Sequence, residues 1–211
     1  MNQVFFYIPN IIGYIRAVLL IVSWFLAQNF PIIFAIVYTI SYALDFFDGL
    51  FARLMKQTSR FGAGLDMIID RCATTSLFSI LAIRFPQISP LFFILISLDI
   101  SSHYLHMFAS ENSSHKVTTP ESHTYLLHFY YSNQPFLTTL CLAHELAALD
   151  VYAYSFFPEP FFSSVSSSLQ APIEWWHFLL GISFIVSLPL ALLKTIISLV
   201  QLIKASQILA S

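Results

Sequence analysis

Long apolar runs, broken by Pro and by short polar clusters, set the pattern of this chain. Residues 17–44, 122–144 and 175–193 contain no Asp, Glu, Lys or Arg. A helix needs about 20 mostly apolar residues to cross a bilayer. Barrel strands would instead alternate apolar and polar positions in short segments between turns. The runs here are continuous, so the pattern predicts α-helices. Its breaks predict six of them, over residues 11–27, 32–56, 62–84, 90–110, 135–154 and 174–203. The polar clusters at 111–134, rich in Ser, Thr and His, and at 158–172, rich in Pro and Ser, read as loops. Thr58, Ser59, Arg60, Phe61 and Gly62 read as a short turn between the second and third helices.

Composition narrows the class. The chain has 211 residues, of which 57% are hydrophobic and 9% charged. An ordinary soluble domain carries roughly 25% charged residues, so these charges could not cover a water-exposed surface. Phe and Tyr are too abundant for a disordered chain. A net charge of −2 with no basic patch gives no footing for nucleic acid. The expected class is an all-α polytopic integral membrane protein with six transmembrane helices. No internal repeat or second domain is visible, so residues 1–211 read as a single membrane domain. Residues 1–9 lack the basic stretch of a cleaved signal peptide and, with Phe5, Phe6 and Tyr7, read as a short interfacial segment. Cys72 and Cys141 fit no metal or redox spacing and are expected as small buried residues.

Lys and Arg in the loops orient the helices. Arg53, Lys56 and Arg60 cluster at the turn after the second helix, Lys116 lies after the fourth, and Lys204 is near the C-terminus. The opposite side offers only Arg84. Both termini are therefore expected to be cytoplasmic. The sequon Asn112-Ser113-Ser114 would then face the cytosol and stay bare.

Four acids interrupt this apolar background at Asp45, Asp48, Asp66 and Asp70. An Asp at the centre of a spanning helix costs about 2.5–3.5 kcal/mol. Asp45 and Asp48 are three apart and share a helix face; Asp66 and Asp70 are four apart and share one on the next helix. A short turn makes the two helices antiparallel neighbours, so four carboxylates can meet near the membrane surface. They cannot all stay ionised without protons or cations between them. Hard divalent cations take carboxylate oxygens, and paired metals recur at phosphoryl-transfer sites. Gly49 and Ala52 remove bulk on the same face, and Arg53 offers a guanidinium fork suited to phosphate. The plainer reading is a set of buried salt bridges to Arg53, Arg60 and Arg71, but three arginines do not explain the small residues between the acids.

The stretch reads Asp45-x-x-Asp48-Gly49-x-x-Ala52-Arg53, eight residues, Gly62-x-x-x-Asp66-x-x-x-Asp70. It resembles the signature of the CDP-alcohol phosphatidyltransferases at every defining position. Further segments resemble the eukaryotic branch of that family whose acceptor is myo-inositol. They are residues 8–16, the Arg60-Phe61-Gly62 triplet, residues 65–72 and 97–106, the Ser114-His115-Lys116 triplet, and the Tyr130-Tyr131 pair. The likeness covers about residues 5–150. The chain departs from the branch at His128, where Arg is usual, and near Gln134, where a second basic residue is expected.

The resemblance implies transfer of the phosphatidyl group from CDP-diacylglycerol to myo-inositol, giving phosphatidylinositol and CMP. It implies two Mg²⁺ or Mn²⁺ ions held by Asp45, Asp48, Asp66 and Asp70, with Asp70 also taking the proton from an inositol hydroxyl. Gly49 and Ala52 would make room for the cytidine, Arg53 and Ser59 would contact the nucleotide, and Asn10 would reach it or cap the first helix. A homodimer in the endoplasmic reticulum, with its active site facing the cytosol, is also implied. For inositol the candidates are Lys116, Asp99, His103 and Tyr130. Asp99, His103 and His106 equally suit a helix-packing network, and packing is the expected role of His144 and Glu145. Two other functions stay open: the same reaction with another acceptor (glycerol 3-phosphate, phosphatidylglycerol, choline or ethanolamine), and a non-catalytic ion-binding membrane protein. The second would call for repeats and midplane sites, which the sequence lacks.

Overall fold

A computed structural model of the protein describes residues 3–113, 125–156 and 175–210. Among the described residues every regular element is helical. A 3-10 turn at Gln3–Phe6 leads into α1 (Ile8–Leu26), α2 (Pro31–Leu54) and α3 (Arg60–Arg84). A second 3-10 turn, Pro86–Ile88, leads into α4 (Ser89–Ser113), followed by α5 (Tyr125–Ser132), α6 (Gln134–Tyr154) and α7 (Trp175–Ala210). Among the described residues five helices are long and apolar enough to cross a membrane: α1, α2, α4 with its preceding turn, α6 and most of α7. Helix α3 is long enough, but any 18-residue stretch of it carries at least three of Arg60, Asp66, Asp70, Arg71 and Arg84. The apolar count expected from the sequence thus falls from six to five because the third helix carries the charge. The outer faces are apolar: Phe25, Ile32, Phe46 and Ile83 are all more than half exposed, as side chains against lipid would be.

Local chemistry explains the boundaries. Pro9, Pro31 and Pro135 occupy the first turns of α1, α2 and α6, where the absent N–H would have had no partner. Asn133 caps α6, its Oδ1 accepting from the Phe136 N–H at 3.1 Å. Helix α2 ends in a Schellman motif: the Gln57 N–H donates to the Ala52 carbonyl at 2.9 Å and the Lys56 N–H to that of Arg53 at 3.3 Å. Two residues later Ser59 caps α3, its Oγ accepting from the Gly62 N–H at 2.9 Å. The α2–α3 connection is therefore short and pinned by hydrogen bonds at both ends.

The contacts divide the chain into two compact units, one through Ile80 and one from Leu81. In the first, α1 and α2 pack along their length. Helix α1 buries the stripe Pro9, Asn10, Gly13, Arg16, Leu20 and Ser23, which recurs every three to four residues as one helix face must. Helix α2 answers with Phe34, Tyr38, Ser41 and Asp48. The Ser41 hydroxyl donates to the Arg16 carbonyl at 2.9 Å. In the second unit α7 packs against α4 and α6. Helix α5 lies in what the sequence reads as part of a polar loop. Its Leu127 and Tyr130 join Leu140 and Ile197 in a buried cluster, which holds the short helix in place. Cys72 is exposed rather than buried, and Cys141 is half-buried with its Sγ 3.5 Å from the Tyr130 hydroxyl.

Lys56, at φ 55°, is the one non-glycine residue of left-handed conformation among the described residues. That region costs an L-residue about 1–2 kcal/mol. Lys56→Gly is expected to raise the thermal unfolding midpoint of detergent-solubilised protein, corresponding to up to about 1 kcal/mol after the entropy glycine adds to the unfolded chain. A lowered midpoint would show that the lysine side chain, not the turn geometry, stabilises this junction.

Candidate active site

The α2–α3 turn brings the two acid pairs to the same height. Counting about 1.5 Å per residue from the helix ends that meet there, Asp48 and Asp66 lie about 9 Å deep, and Asp45 and Asp70 about 14–15 Å. Arg16, on α1, lies about 12 Å from its own end, between the two levels. The geometry follows that order. Arg16 Nη1 contacts the outer pair, Asp48 Oδ2 at 2.6 Å and Asp66 Oδ1 at 2.7 Å. Nη2 contacts the inner pair, Asp45 Oδ1 at 2.7 Å and Asp70 Oδ1 at 2.6 Å. The guanidinium is 2% exposed, while the carboxylates range from 10% for Asp48 to 45% for Asp66. One side of the cluster is sealed by arginine and the other stays accessible.

Sequence reading missed this residue. The cation in contact with all four acids is Arg16; Arg71 adds an attraction to Asp70. A signal existed: Arg16 is the one charged side chain in the first 44 residues, placed in an apolar helix where a charge needs a partner.

A cleft of about 170 Å³ opens beside the outer pair. Asn10, Gly49, Ala52, Arg53 and Ser59, the five residues expected at the nucleotide, all line it together with Asp48 and Asp66. Asp45 and Asp70 do not. Pro9, Gly13, Gln57, Thr58, Gly62, Ala63 and Leu65 complete the wall. Three contacts shape the rim. The Ile8 N–H donates to Gln57 Oε1 at 3.0 Å, tying the start of α1 to the α2–α3 turn. Buried Asn10 donates from Nδ2 to the Val4 carbonyl at 2.6 Å. The Phe5 ring meets Phe61 edge-on, 4.8 Å between centroids. Ser59 thus has a capping role besides its place in the wall.

Two glycines of the cleft differ. A Cβ at Gly62 would stand 2.8 Å from Asn10 Oδ1 and 3.1 Å from Ser59 Oγ, so α3 needs glycine there to approach α1. A Cβ at Gly49 would meet only the Arg53 guanidinium, at 3.5 Å, an ordinary contact. Packing does not demand a glycine at 49; open space for a ligand would.

The donor set suits a hard divalent cation. Asp45, Asp48 and Asp66 each offer a carboxylate oxygen within 4.8 Å of the others, and oxygen donors are what Mg²⁺ and Mn²⁺ prefer. Asp45 Oδ1 is shielded from solvent and, despite its ion pair with Arg16, accepts no hydrogen bond. Asp70 falls outside that trio and reaches the cluster through Arg16.

Of the residues expected around inositol, Asp99, His103 and Tyr130 lie in the second unit. Asp99 is 5% exposed and faces buried Lys194, Oδ1 to Nζ 3.8 Å. The His103 ring stands 2.8 Å from the Asp99 carbonyl and 3.5 Å from its carboxylate. Lys194 donates to Ser198 at 3.0 Å, and Gln201 lies 3.4 Å from the Ser102 carbonyl. This is a buried seam between α4 and α7. Tyr130 is buried in the α5 cluster, and His106 stacks on Tyr131 at 4.9 Å. His128 and Gln134 are exposed. Lys116 lies outside the described residues, as does the stretch 158–172. Buried Asp150 accepts hydrogen bonds from Ser183 at 2.8 Å and Ser187 at 3.2 Å, another packing contact.

A family model for CDP-alcohol phosphatidyltransferase matches residues 6–203, which spans both units and the whole cleft. The chain belongs to the CDP-alcohol phosphatidyltransferase family. Similar proteins are a CDP-diacylglycerol–inositol 3-phosphatidyltransferase of Candida albicans, 40% identical over 99% of this chain and 84% of that protein, and one of Schizosaccharomyces pombe, 36% identical over 98% and 90%. The Mus musculus protein of the same name is 37% identical over 100% of this chain and 94% of its own length. No solved structure matches significantly. CDP-alcohol phosphatidyltransferases generally depend on a divalent metal, which the acidic donor set of this site fits.

The glycine contrast predicts two different failures. Gly49→Ala should fold normally, since Ala is favoured over Gly in a helix by up to about 1 kcal/mol, yet lose substrate binding, read as a raised KM for the nucleotide substrate. Gly62→Ala should lower the thermal midpoint as well, because Asn10 must move. Equal stability and equal activity in both variants would mean that the cleft is not where the nucleotide sits.

Proposed function

We propose that this chain transfers the phosphatidyl group of CDP-diacylglycerol to myo-inositol, producing phosphatidylinositol and CMP. The observation that carries the reading is one cleft lined by Asn10, Gly49, Ala52, Arg53 and Ser59, with Asp48 and Asp66, one acid from each helix, in its wall. Full-length similarity to inositol 3-phosphatidyltransferases supports the acceptor.

In this reading Asp45, Asp48, Asp66 and Asp70 hold the divalent ions, Mg²⁺ or Mn²⁺. Bound there, they would neutralise the pyrophosphate and the charge growing on the leaving CMP. Gly49 and Ala52 admit the cytidine, while Arg53, Ser59 and Asn10 contact the nucleotide. The inositol hydroxyl oxygen attacks the phosphorus that bears diacylglycerol, and the bond to the CMP phosphate breaks. Asp70 accepts the hydroxyl proton; such help is typically worth about 10²–10⁴-fold. Lys116, Asp99, His103 and Tyr130 stay the candidates for inositol. Residues 1–211 act as one catalytic membrane domain. Its 25-residue α3, about 37 Å long, exceeds the roughly 30 Å of hydrocarbon and serves as a sixth span. The termini and the cleft then face the cytosol, in the endoplasmic reticulum, and two copies pair.

Two measurements test this. Membranes containing the protein, given CDP-diacylglycerol, should release CMP with myo-inositol but not with glycerol 3-phosphate, choline or ethanolamine. EDTA should abolish that release and Mn²⁺ or Mg²⁺ restore it. Release driven only by another alcohol would overturn the acceptor; full activity in EDTA would overturn the metal reading. Separately, Asp70→Asn should drop turnover at least about 10²-fold while leaving CDP-diacylglycerol binding within a few-fold of normal. Near-normal turnover would remove Asp70 from the role of base.

A further inference from the structure

Arg16 occupies the place where a cation is most stabilised. It is fully buried, contributed by a third helix, and touches all four carboxylates at 2.6–2.7 Å. One guanidinium, even with Arg71 attracting Asp70, cannot neutralise four carboxylates, and its two Nη atoms engage one oxygen of each acid. Metal and arginine therefore compete for the same carboxylates. The arrangement also leaves Asp70 without a disengaged Oδ1, since that atom accepts from Arg16 Nη2.

We infer that Arg16 is a resident counter-ion that the divalent metal displaces from some of its carboxylates when it binds. Arg16 holds the acids together in the metal-free protein, so that repulsion does not spread α2 from α3. Metal entry is then an exchange of cations, and metal affinity is set by how firmly Arg16 holds. The outer contacts, Nη1 to Asp48 and Asp66, border the cleft and are the first that an incoming ion meets. The inference rests on the metal reading above, and the experiment separates the two.

The readout is Mn²⁺ binding to the purified full-length protein in detergent, followed by the loss of the free-ion electron paramagnetic resonance signal, with thermal unfolding measured alongside. The wild type should bind Mn²⁺, and Asp48→Asn should lose most of that binding. Arg16→Gln should bind Mn²⁺ about tenfold more tightly or better, because a positive charge has left the site. Its unfolding midpoint in EDTA should fall below that of the wild type, and the rise on adding Mn²⁺ should be larger. Arg16→Lys keeps a charge but gives up the fork; it should bind Mn²⁺ more tightly than the wild type and less tightly than Arg16→Gln. It carries the test if Arg16→Gln does not fold. Unchanged or weaker Mn²⁺ binding in these variants overturns the exchange while leaving the metal site standing. Absence of Mn²⁺ binding by the wild type overturns both.

Discussion

Four carboxylates gathered around one buried guanidinium repel one another, the more so on the side where burial keeps solvent from screening them. The Arg16 guanidinium makes the arrangement possible, and much of the first unit follows from it. An ion bridging three helices fixes their relative heights. Arg16 sits between the two levels of acids, so a one-residue slip of any helix would break contacts at both. Close approach of α1 is a precondition: a Cβ at Gly13 would lie 3.0 Å from the Leu65 side chain.

The signature spacing acquires a geometric meaning from this. A spacing of three residues between the acids on α2 and of four on α3 gives rises of about 4.5 and 6 Å, so the acids form two tiers of one carboxylate from each helix. The outer tier borders the cleft and the inner tier lies behind it. Arginine suits such a site because its planar fork offers one nitrogen to each tier, whereas a lysine ammonium is a single point. The tiers also separate the proposed duties: groups proposed to meet the nucleotide lie towards the turn, and the proposed base lies deeper.

Much of this was legible in the chain. Uninterrupted apolar runs gave the helices, because a bilayer forces backbone hydrogen bonds to be satisfied locally. The spacing of Asp45, Asp48, Asp66 and Asp70 put the acids on facing helices, and the five residues chosen for the nucleotide share one cleft. Two kinds of information were not local enough to read. Arg16 lies 29 residues before Asp45, and nothing in its neighbourhood says that its partners are on α2 and α3. Helix α5 hides in a polar-looking stretch because its stability comes from Leu127 and Tyr130 packing onto distant Leu140 and Ile197. Asp99 could have been a pocket wall or a packing group; the buried Lys194 opposite it, almost 100 residues away, is the kind of partner that only the fold reveals.

The buried polar stripe of α1 has a consequence for how the protein is made. Helix α1 emerges from the ribosome before α2 and α3, and Arg16 then has none of its acids to meet. A lone arginine at mid-helix costs about 2.5–3.5 kcal/mol on insertion, which the remaining apolar residues of α1 must outweigh. Helices α2 and α3 arrive with charges of their own, two acids each beside Arg53 on α2 and Arg60, Arg71 and Arg84 on α3. Each helix is thus a poor guest of the lipid by itself and a good one in company. Biogenesis should therefore favour release of α1, α2 and α3 into the bilayer as a ready-matched group. A chain that stalled after α1 would leave a basic helix exposed to membrane quality control.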